Sequence, residues 1–328
     1  MSAKKRRIRI KLVGYADSIC ERRWTLDFLS RDYEVEVCDN PDYLFWGGFG
    51  FDHYEYDCVK IAIIGENLVP NFNAFDYAVG FDHLDFGDRY LRVPLFALYE
   101  EYGKLGARNR PTDEELLERG FCSFVVSNGT RGDPFRTEFF RRLSEYRPVA
   151  SGGRYLNNVG GPVADKLAFC GRYKFNIAFE NSSSPGYTTE KVMQPLTVNS
   201  VPIYWGNPRI DLDFRPECMV RVRDRDDIER AVEEIVYLDT HDDAYLAKCR
   251  AQCLVHDQMD WYDRKLMEFY HGIIDQPICR ARRVNRYGYQ NDLNGQMRHF
   301  VRVNKLMRKC KVYKCVDVVR ATRRMIGL

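Results

Sequence analysis

Short apolar runs alternate with stretches of helical spacing from the beginning of the chain. In the first third, runs rich in β-branched and aromatic residues predict strands, and residues 19–29 are predicted to form a helix. The strands are predicted at residues 8–13, 34–37, 43–46, 59–64, 77–79 and 91–95. Residues 104–115 are polar and combine Gly, Arg, Asn, Pro and Asp, a composition typical of the connection between two domains.

The same alternation begins again after this connection. Apolar residues recur at i, i+3, i+4, i+7 and i+8 between Ile228 and Val236, the spacing of an amphipathic helix. Two successive series of strands and helices predict an α/β protein with two parallel sheets. Because ligands of parallel sheets bind beyond the carboxyl ends of the strands, we expect the functional site in a cleft that the two domains face. Further strands are predicted at 124–126, 175–179 and 201–205, and further helices at 133–146, 188–198, 244–254 and 264–274.

The length of 328 residues suits two domains and a C-terminal extension. We predict an N-terminal domain at residues 1–115, a second domain at 116–278 and a basic amphipathic tail at 279–328. Hydrophobic residues make up 45% of the chain, which excludes an intrinsically disordered protein. No apolar run approaches the ~20 residues of a membrane span. The basic N-terminus lacks the apolar core of a signal peptide, so we expect a cytoplasmic protein.

The cysteines and histidines predict neither a metal site nor a disulfide framework. The eleven cysteines are scattered and form no CxxC pair, and the six histidines are equally dispersed. Structural zinc needs four ligands, usually in closely spaced pairs. We therefore expect reduced cysteines, as in a cytosolic protein.

The net charge of +3 hides a strong asymmetry along the chain. Residues 279–328 carry a net charge of +12, so the first 278 residues carry −9. Basic and apolar residues alternate near helical spacing between Met297 and Lys309. A basic amphipathic helix of this kind suits an anionic lipid surface, here the inner face of the membrane. A solvated tail is an equally simple interpretation, and no motif supports a nucleic-acid partner.

The segment with the richest chemistry is residues 173–210, YKFNIAFENSSSPGYTTEKVMQPLTVNSVPIYWGNPRI. A predicted strand ends at Phe179, and a helix is predicted to begin after a Ser/Pro/Gly loop. A helix N-terminus presents free N–H groups, and Lys191 in its first turn adds a positive charge, which suits a diphosphate. The carboxylate of Glu190 has two oxygens that suit a vicinal diol such as that of ribose. Taken alone, these residues fit an ordinary capped helix better.

This segment resembles the signature of the α-1,3-fucosyltransferases, glycosyltransferase family 10, in its FEN, GY.TEK and VPIYWG.P strings. The resemblance extends more loosely from Ile64 to about Leu246 and is strongest to the bacterial branch. It includes GEN and PNFNxFDYA within residues 65–78, and GFDxLDFxDRYLRxPL at residues 80–95. The resemblance implies the GT-B fold: two Rossmann-like domains, an acceptor domain and then a donor domain, with the site between them.

The resemblance also implies roles for individual residues. Glu66, in the Gly-Glu-Asn string, matches the proposed catalytic base of the family. The positions that match the family's binding site for the nucleotide sugar are Arg136, which would contact the diphosphate, and Asn181, Tyr187, Glu190 and Lys191. The chain departs from the family pattern at Gln194-Pro195, where Pro195 removes a helical N–H, and at Asn199, where a small residue such as Gly is usual.

Two Asp-x-Asp strings, at residues 211–213 and 224–226, are of the type with which other transferases hold a divalent ion. We interpret neither as a metal site, because the second directly precedes a predicted helix whose N-terminus its aspartates suit. The positive charges of Arg136 and Lys191 make a metal dispensable. We therefore expect no required cofactor and no metal ligand.

The function implied by the resemblance is inverting transfer of L-fucose from GDP-β-L-fucose to a GlcNAc or glucose hydroxyl of a lactosamine- or lactose-type glycan. The linkage would be α-1,3, with additional α-1,4 transfer left open, and the acceptor an oligosaccharide or glycolipid. A GT-B transferase that uses another nucleotide sugar is one alternative, and a non-catalytic glycan- or nucleotide-binding module is another. We predict a cytoplasmic enzyme that associates peripherally with the inner face of the membrane through the basic tail.

Overall fold

Each half of the chain builds a parallel sheet of its own. The computed structural model describes residues 5–15, 23–106, 110–130, 132–256 and 260–310. It divides into two compact units. The first unit draws on Met1–Gly80, Phe86–Leu91 and Met267–Leu328, and the second on Phe81–Asp85 and Arg92–Leu266.

The sheet of the first unit has six strands in the order β2-β1-β3-β4-β5-β6. Their bounds are β1 Arg6–Val13, β2 Tyr33–Val37, β3 Tyr43–Trp46, β4 Val59–Ile63, β5 Tyr77–Gly80 and β6 Tyr90–Arg92. The pairings of β1 with β2 and β3, of β3 with β4 and of β4 with β5 are parallel. Ile61, Ala62 and Ile63 are at most 1% exposed, as in a strand that is covered on both faces.

The sheet of the second unit has five strands in the order β11-β10-β9-β7-β8. Their bounds are β7 Gly120–Phe124, β8 Val149–Ser151, β9 Tyr173–Phe179, β10 Val201–Trp205 and β11 Val220–Arg221. The described pairings are parallel, so the carboxyl ends of these strands share one edge. Aromatic rings fill the core beside this sheet: Phe179 lies 4.8 Å from Phe139 and 5.8 Å from Trp205, ring centre to ring centre.

Helices connect and cover the two sheets. The helices are α1 Phe28–Asp32, α2 Asp113–Leu117, α3 Phe135–Tyr146, α4 Lys166–Cys170, α5 Glu190–Thr197, α6 Ile228–Thr240, α7 Asp242–Arg250, α8 Trp261–Ile274, α9 Ile278–Ala281 and α10 Gly288–Lys309. Within the described ranges, no helix is both long and apolar enough to cross a membrane.

Most predicted strands and helices are present, although the bounds of many differ by a few residues. The strand predicted at 91–95 ends at Arg92 instead, because Pro94 has no N–H to donate and Leu95–Leu98 forms a 3₁₀ turn. The strand predicted at 124–126 is β7, which ends at Phe124. Residues 16–22 of the predicted first helix lie outside the described residues, and a π-helical turn, Arg23–Asp27, leads into α1.

The structure differs from both predicted domain boundaries. Residues 92–115, predicted in the N-terminal domain, belong to the second unit, where the N–H of Phe96 donates to the carbonyl of Thr188 at 3.0 Å. The boundary predicted at residue 278 differs as well. Helix α8 begins in the second unit, and from Met267 onward the chain belongs to the first unit. Tyr270 on α8 is fully buried, and its hydroxyl donates to the carbonyl of Trp24 at 2.7 Å. Its ring lies 5.7 Å from that of Phe45 on β3. Helical periodicity identifies an apolar face but does not say which sheet that face covers, so the sequence left this segment with the preceding domain.

The predicted basic tail is also part of the first unit as far as the structure describes it. The N–H of Arg283 donates to the buried carboxylate of Asp76 at 2.6 Å, and Val301 on α10 is 5% exposed. Lys305 forms ion pairs with Asp52, at 3.1 Å, and with Glu55. Acidic residues of the first unit therefore attract part of the positive charge that the sequence assigned to a free tail. Residues 311–328 lie outside the described residues.

Removal of residues 278–328 should lower the melting temperature of the protein. Truncation after Pro277 exposes the surface under Val301 and takes away two N–H groups, of Arg283 and Val284, that Asp76 accepts. A buried polar group without its partner costs ~1–3 kcal/mol, so we expect a fall of at least ~5 °C by scanning calorimetry. A chain that ends after Cys310 is the control and should melt close to the full chain. Equal melting temperatures for the two truncated chains would contradict the packing of α9 and α10.

Candidate functional site

A buried glutamate stands at the carboxyl end of β9. Glu180 is fully buried, and its N–H donates to the carbonyl of Trp205 at 2.9 Å. Its carboxylate accepts the N–H of Thr189 at 2.7 Å, the hydroxyl of Thr189 at 2.8 and 2.9 Å, and the ammonium of Lys191 at 3.1 Å. One carboxylate thus ties the start of α5 to the end of the central strand.

The charges around this carboxylate are strongly coupled. Burial raises the pKa of Glu180, while the ammonium of Lys191 acts in the opposite direction. Burial opposes ionisation of Glu190 as well, yet Lys191 and then Lys166 lower the pKa of Glu190 to about 2. Burial also opposes the charge of Lys191, but Glu180 and Glu190 raise its pKa above the ordinary value. Glu190 is therefore ionised at neutral pH, and Lys191 carries its charge between two carboxylates.

Helix α5 begins at Glu190 and runs through Pro195. Thr189 is its N-cap, and the hydroxyl of Thr189 accepts from the ammonium of Lys191 at 3.0 Å. Pro195 lies in the last turn, where its carbonyl accepts from the N–H of Ser200 at 3.0 Å. Asn199 ends this turn with φ +54°, a conformation that Gly and Asn tolerate best. The two departures from the family pattern therefore fit the local backbone.

Asn207, just after β10, holds the loop that precedes α5. It is 2% exposed, and its amide oxygen accepts from the N–H groups of Gly186, at 2.7 Å, and Arg209, at 2.8 Å. Its amide nitrogen donates to the hydroxyl of Thr188 at 2.9 Å. The sequence prediction gave Asn207 no role. Its position beside Gly206, just beyond the carboxyl end of a predicted strand, is the sequence feature that could have identified it.

Gly186 is required where this loop approaches another segment of the second unit. Its φ is +85°, and a Cβ at this position would lie 2.3 Å from the carbonyl oxygen of Phe81. The ring of Phe81 packs edge-on against the ring of Tyr187, with 5.3 Å between centres. Tyr187 is 4% exposed, so its ring forms part of the wall of this region.

Arg136 and Asn181 contact each other directly. Nη1 of Arg136 donates to the amide oxygen of Asn181 at 3.0 Å, and Nη2 donates to the carbonyl of Asn128 at 3.0 Å. Arg136 is 5% exposed, and burial lowers its pKa from the usual value. The guanidinium lies so close to Gly132 that a Cβ there would come within 1.9 Å of Nη2. The carbonyl of Asn181 also accepts from the N–H of Asp133 at 2.8 Å, which joins the two loops.

The five predicted residues for a nucleotide sugar all belong to the second unit. Two of them, Arg136 and Asn181, form one contact pair, and Glu190 and Lys191 form another, with 3.5 Å between their charged groups. Arg136 follows β7, whereas Asn181 and Tyr187 follow β9. Glu190 and Lys191 are the first two residues of α5. One guanidinium group, one ammonium group and the N-terminus of a helix offer partners for a diphosphate, and an ionised carboxylate offers a partner for a diol.

Glu66 belongs to the first unit. It lies beyond the carboxyl end of β4, as the sequence predicts, and its side chain is exposed. The N–H of Leu68 donates to its carbonyl at 2.7 Å. Among the described residues, the carboxylate of Glu66 forms no ion pair, so it remains available as a proton acceptor.

The two Asp-x-Asp strings have other partners. Asp213 is 2% exposed and receives both terminal nitrogens of Arg92, at 2.9 and 2.7 Å. Asp211 pairs with Arg221, and Asp224 caps the 3₁₀ turn before α6. The structure finds no group of three or more His, Cys, Asp or Glu with metal-site geometry among the residues that it describes.

Two family descriptions match the chain. "Alpha-(1,3)-fucosyltransferase FucT N-terminal domain" matches residues 10–99, and "Glycosyltransferase family 10 (fucosyltransferase) C-term" matches residues 118–291. Among curated relatives, "Alpha-(1,3)-fucosyltransferase FucT" of Helicobacter pylori is 37% identical over 257 residues, which cover 66% of this chain and 53% of the relative. "Putative fucosyltransferase R654" of Acanthamoeba polyphaga mimivirus is 28% identical and covers 58% of this chain and 32% of the relative. The chain thus spans about half the length of the Helicobacter relative, and less of the mimivirus one.

Solved structures give the same result over most of the chain. An α1,3-fucosyltransferase with GDP-fucose superimposes with a TM-score of 0.70 at 30% identity, and covers 84% of this chain and 93% of its own. A structure of an α1,3-fucosyltransferase with GDP also superimposes with a TM-score of 0.70. A glycosyltransferase from Rickettsia africae, at 10% identity and a TM-score of 0.53, shares the fold alone.

Substitution of Asn207 should destabilise the second unit. Asn207→Ala leaves the N–H groups of Gly186 and Arg209 without their buried acceptor, at ~1–3 kcal/mol each. We expect the free energy of unfolding, from denaturant titration, to fall by ~2–4 kcal/mol. Asn199→Gly is the matched control: the backbone of Asn199 is already in the region that Gly prefers, so this change should cost less than ~1 kcal/mol. Similar losses for the two variants would contradict the role of Asn207.

Proposed function

Because the chain belongs to glycosyltransferase family 10, the fucosyltransferases, we propose that it transfers L-fucose from GDP-β-L-fucose to a glycan hydroxyl. The observation that carries the proposal is the likeness, at 30% identity over 84% of the chain, to a solved α1,3-fucosyltransferase with GDP-fucose. The proposed acceptor is a GlcNAc or glucose residue of a lactosamine- or lactose-type glycan, joined in α-1,3 linkage. The contact pairs Arg136–Asn181 and Glu190–Lys191, which both belong to the second unit, support a donor site there.

The diphosphate of GDP binds at the start of α5 and beside Arg136. Two of the three ammonium protons of Lys191 point to Glu180 and Thr189, at 3.1 and 3.0 Å, and these contacts hold the side chain in one orientation. The third proton is available to a phosphate oxygen in place of the longer contact with Glu190. Glu190, ionised at neutral pH, accepts hydrogen bonds from the ribose hydroxyls.

Glu66 is the general base of a single displacement. The acceptor hydroxyl loses its proton to the carboxylate of Glu66 as its oxygen bonds to the anomeric carbon of fucose, and the bond from that carbon to the phosphate oxygen breaks. GDP departs with the bonding electron pair, and the anomeric configuration inverts. Arg136 and Lys191 stabilise the negative charge that develops on the diphosphate, so the proposal needs no metal ion.

The acceptor sugar packs on an aromatic loop beside Glu66. This loop, Gly47-Gly-Phe-Gly-Phe51, follows β3, whose register places Trp46 next to Ala62 of β4. Phe49 and Phe51 are 43% and 53% exposed, although large apolar side chains are usually buried. Nε1 of Trp46 donates to the carbonyl of Phe49 at 2.9 Å, which restricts the loop. Because β3 and β4 end at the same edge, these rings are positioned to contact the apolar face of a sugar whose hydroxyl reaches Glu66.

Peripheral association with the inner face of the membrane is the second part of the proposal. Basic side chains of α10, Arg302 and Lys309 among them, are exposed, and so are Phe300 and Leu306, at 51% and 62%. Lys305 already pairs with acidic residues of the first unit, so fewer charges face the lipid than the sequence count implies. Anionic lipid attracts each remaining basic residue by ~1 kcal/mol, and the apolar side chains add to this.

One assay separates the proposal from its alternatives. Release of GDP from GDP-fucose is measured with and without N-acetyllactosamine. Fucose transfer predicts GDP release that depends on this acceptor. A transferase of another nucleotide sugar would release no GDP here but would turn over its own donor, and a non-catalytic binding module would turn over none.

Glu66→Gln should lower kcat by roughly 100-fold, since the amide cannot take the acceptor proton. The affinity for GDP-fucose, measured by calorimetry, should stay within about threefold because Glu66 does not contribute to the proposed donor site. The control is Glu34→Gln, the same change at an exposed position on β2 of the same unit. A kcat near that of the parent protein in Glu66→Gln would assign the base to another group.

Removal of either cation should weaken GDP binding. Arg136→Ala and Lys191→Met should each cost ~1.5–3 kcal/mol, the value of a hydrogen bond to a charged group. Titration calorimetry gives the affinity, and circular dichroism checks that each variant folds. Arg154→Ala, at an exposed position of the same unit, is the control. Parent-like affinity in both variants would place the diphosphate elsewhere. Loss of activity in EDTA that Mn²⁺ restores would contradict the expectation that no metal is required.

The full chain should sediment with vesicles that contain phosphatidylserine, and less so as salt rises. Substitution of both Arg302 and Lys309 by Gln should weaken this binding severalfold, because ~1 kcal/mol is lost per basic residue. The charge-matched control replaces Arg154 and Arg223, which are exposed in the second unit. An equal loss of vesicle binding in the two double variants would indicate non-specific electrostatic attraction rather than binding through α10.

A further inference from the structure

A pocket of the first unit lies at the amino ends of its strands. Asp57 and Cys58, just before β4, and Asp76, just before β5, form one side of it, and residues 282–298 form the other. The cavity that they enclose is about 60 Å³. Glu66 lies beyond the carboxyl end of β4, which at ~3.3 Å per residue is ~16 Å from the amino end. The pocket is therefore separate from the edge of the sheet that carries the proposed base.

Positive charge dominates the lining of this pocket. Lys60 comes from β4, and three arginines come from the C-terminal segment. Against these four cations stand two carboxylates, so the lining carries a net charge of +2. The amide of Asn291 adds a neutral hydrogen-bond donor, and Asn294 adds a second, since its amide nitrogen has one N–H left after donating to the carbonyl of Asn73 at 3.1 Å. The charged residues are Lys60, Arg282, Arg286 and Arg298, with Asp57 and Asp76.

Both carboxylates already have partners. Asp76 is 3% exposed and accepts three backbone N–H groups: that of Lys60, at 2.8 Å, and those of Arg283 and Val284, at 2.6 and 2.8 Å. Asp57 pairs with the guanidinium groups of Arg282, at 2.7 Å, and Arg286, at 2.6 Å. Neither carboxylate forms an ion pair with Lys60 or Arg298.

Lys60 and Arg298 are the cations left over. Within the described ranges, the ammonium of Lys60 forms no hydrogen bond and no ion pair. Burial lowers its pKa, Cys58 and Asp76 oppose this shift, and Arg298 adds to it by repulsion. Arg298 donates through Nε to the carbonyl of Tyr54 at 3.0 Å, and its terminal nitrogens form no hydrogen bond or ion pair with described residues. A partly buried pair of like charges is unfavourable unless an anion lies between them.

We infer that this pocket binds a phosphate group through Lys60, Arg298 and the amides of Asn291 and Asn294. A phosphate monoester carries −1.5 to −2 charges near neutral pH, about the charge that balances the lining, whereas a carboxylate balances half of it. The planar guanidinium of Arg298 matches two phosphate oxygens, and the ammonium of Lys60 supplies a point charge to a third. Two sources share this chemistry: a soluble phosphate, and the monoester headgroup of a lipid such as phosphatidic acid.

The first experiment titrates inorganic phosphate into the full chain by calorimetry in a low-salt, phosphate-free buffer. We expect saturable binding and a rise in melting temperature with phosphate concentration. Lys60→Met and Arg298→Gln should each reduce the affinity at least tenfold. Arg302→Gln, the same change one turn further along α10, should not. Arg136→Ala should not either, and this variant separates the pocket from the diphosphate site of the proposed function.

The second experiment distinguishes the two sources. Vesicles with phosphatidic acid and vesicles with phosphatidylserine are prepared at equal surface charge. A lipid source predicts that the chain prefers phosphatidic acid and that Lys60→Met abolishes this preference. A soluble source predicts saturable phosphate binding without such a preference. Phosphate affinity that is unchanged in both Lys60→Met and Arg298→Gln, or no phosphate binding together with no lipid preference, would overturn the inference.

Discussion

The proposed donor region of the second unit depends on one buried carboxylate. Glu180 accepts three hydrogen bonds from the start of α5, two from Thr189 and one from Lys191. A fully buried carboxylate is tolerated only when such donors compensate its desolvation. The same contacts that stabilise Glu180 fix the N-terminus of the helix and the ammonium beside it. The stability of this unit and the geometry of its proposed ligand site therefore depend on the same atoms.

The first unit shows how charge can be misread along a sequence. The positive charge of the C-terminal segment suggests a solvated or lipid-bound tail, yet Asp57, Asp76 and Asp88 all pair with it. These carboxylates lie some 200 residues earlier in the chain, so no local pattern reveals the pairing. Within the described ranges, the basic groups that form no ion pair are more informative than the total charge: Lys60 and Arg298 at one pocket, and Arg302 and Lys309 on α10.

Motif similarity predicted more than periodicity did. Periodicity gave two parallel sheets, which the structure confirms, and the strings around Glu66 and Glu190 gave the family, which the comparisons confirm together with the GT-B fold. The roles of Glu66 and of the five donor residues stay predictions. Asn207 escaped notice because a buried amide that bonds backbone N–H groups has no sequence signature of its own.

The sequence by itself determined the order of strands and helices, the place of Glu66 and Asn181 beyond strand ends, and the family. These follow from short-range patterns: β-branched runs, the residue types at helix starts, and a long sequence motif that resembles the family signature. Only the tertiary structure decided that Glu180 is the anchor of Lys191, that α8 to α10 complete the first unit, and that Lys60 and Arg298 line one pocket. Such contacts join residues far apart in the chain, and burial and partner choice arise only when the sheets and helices pack.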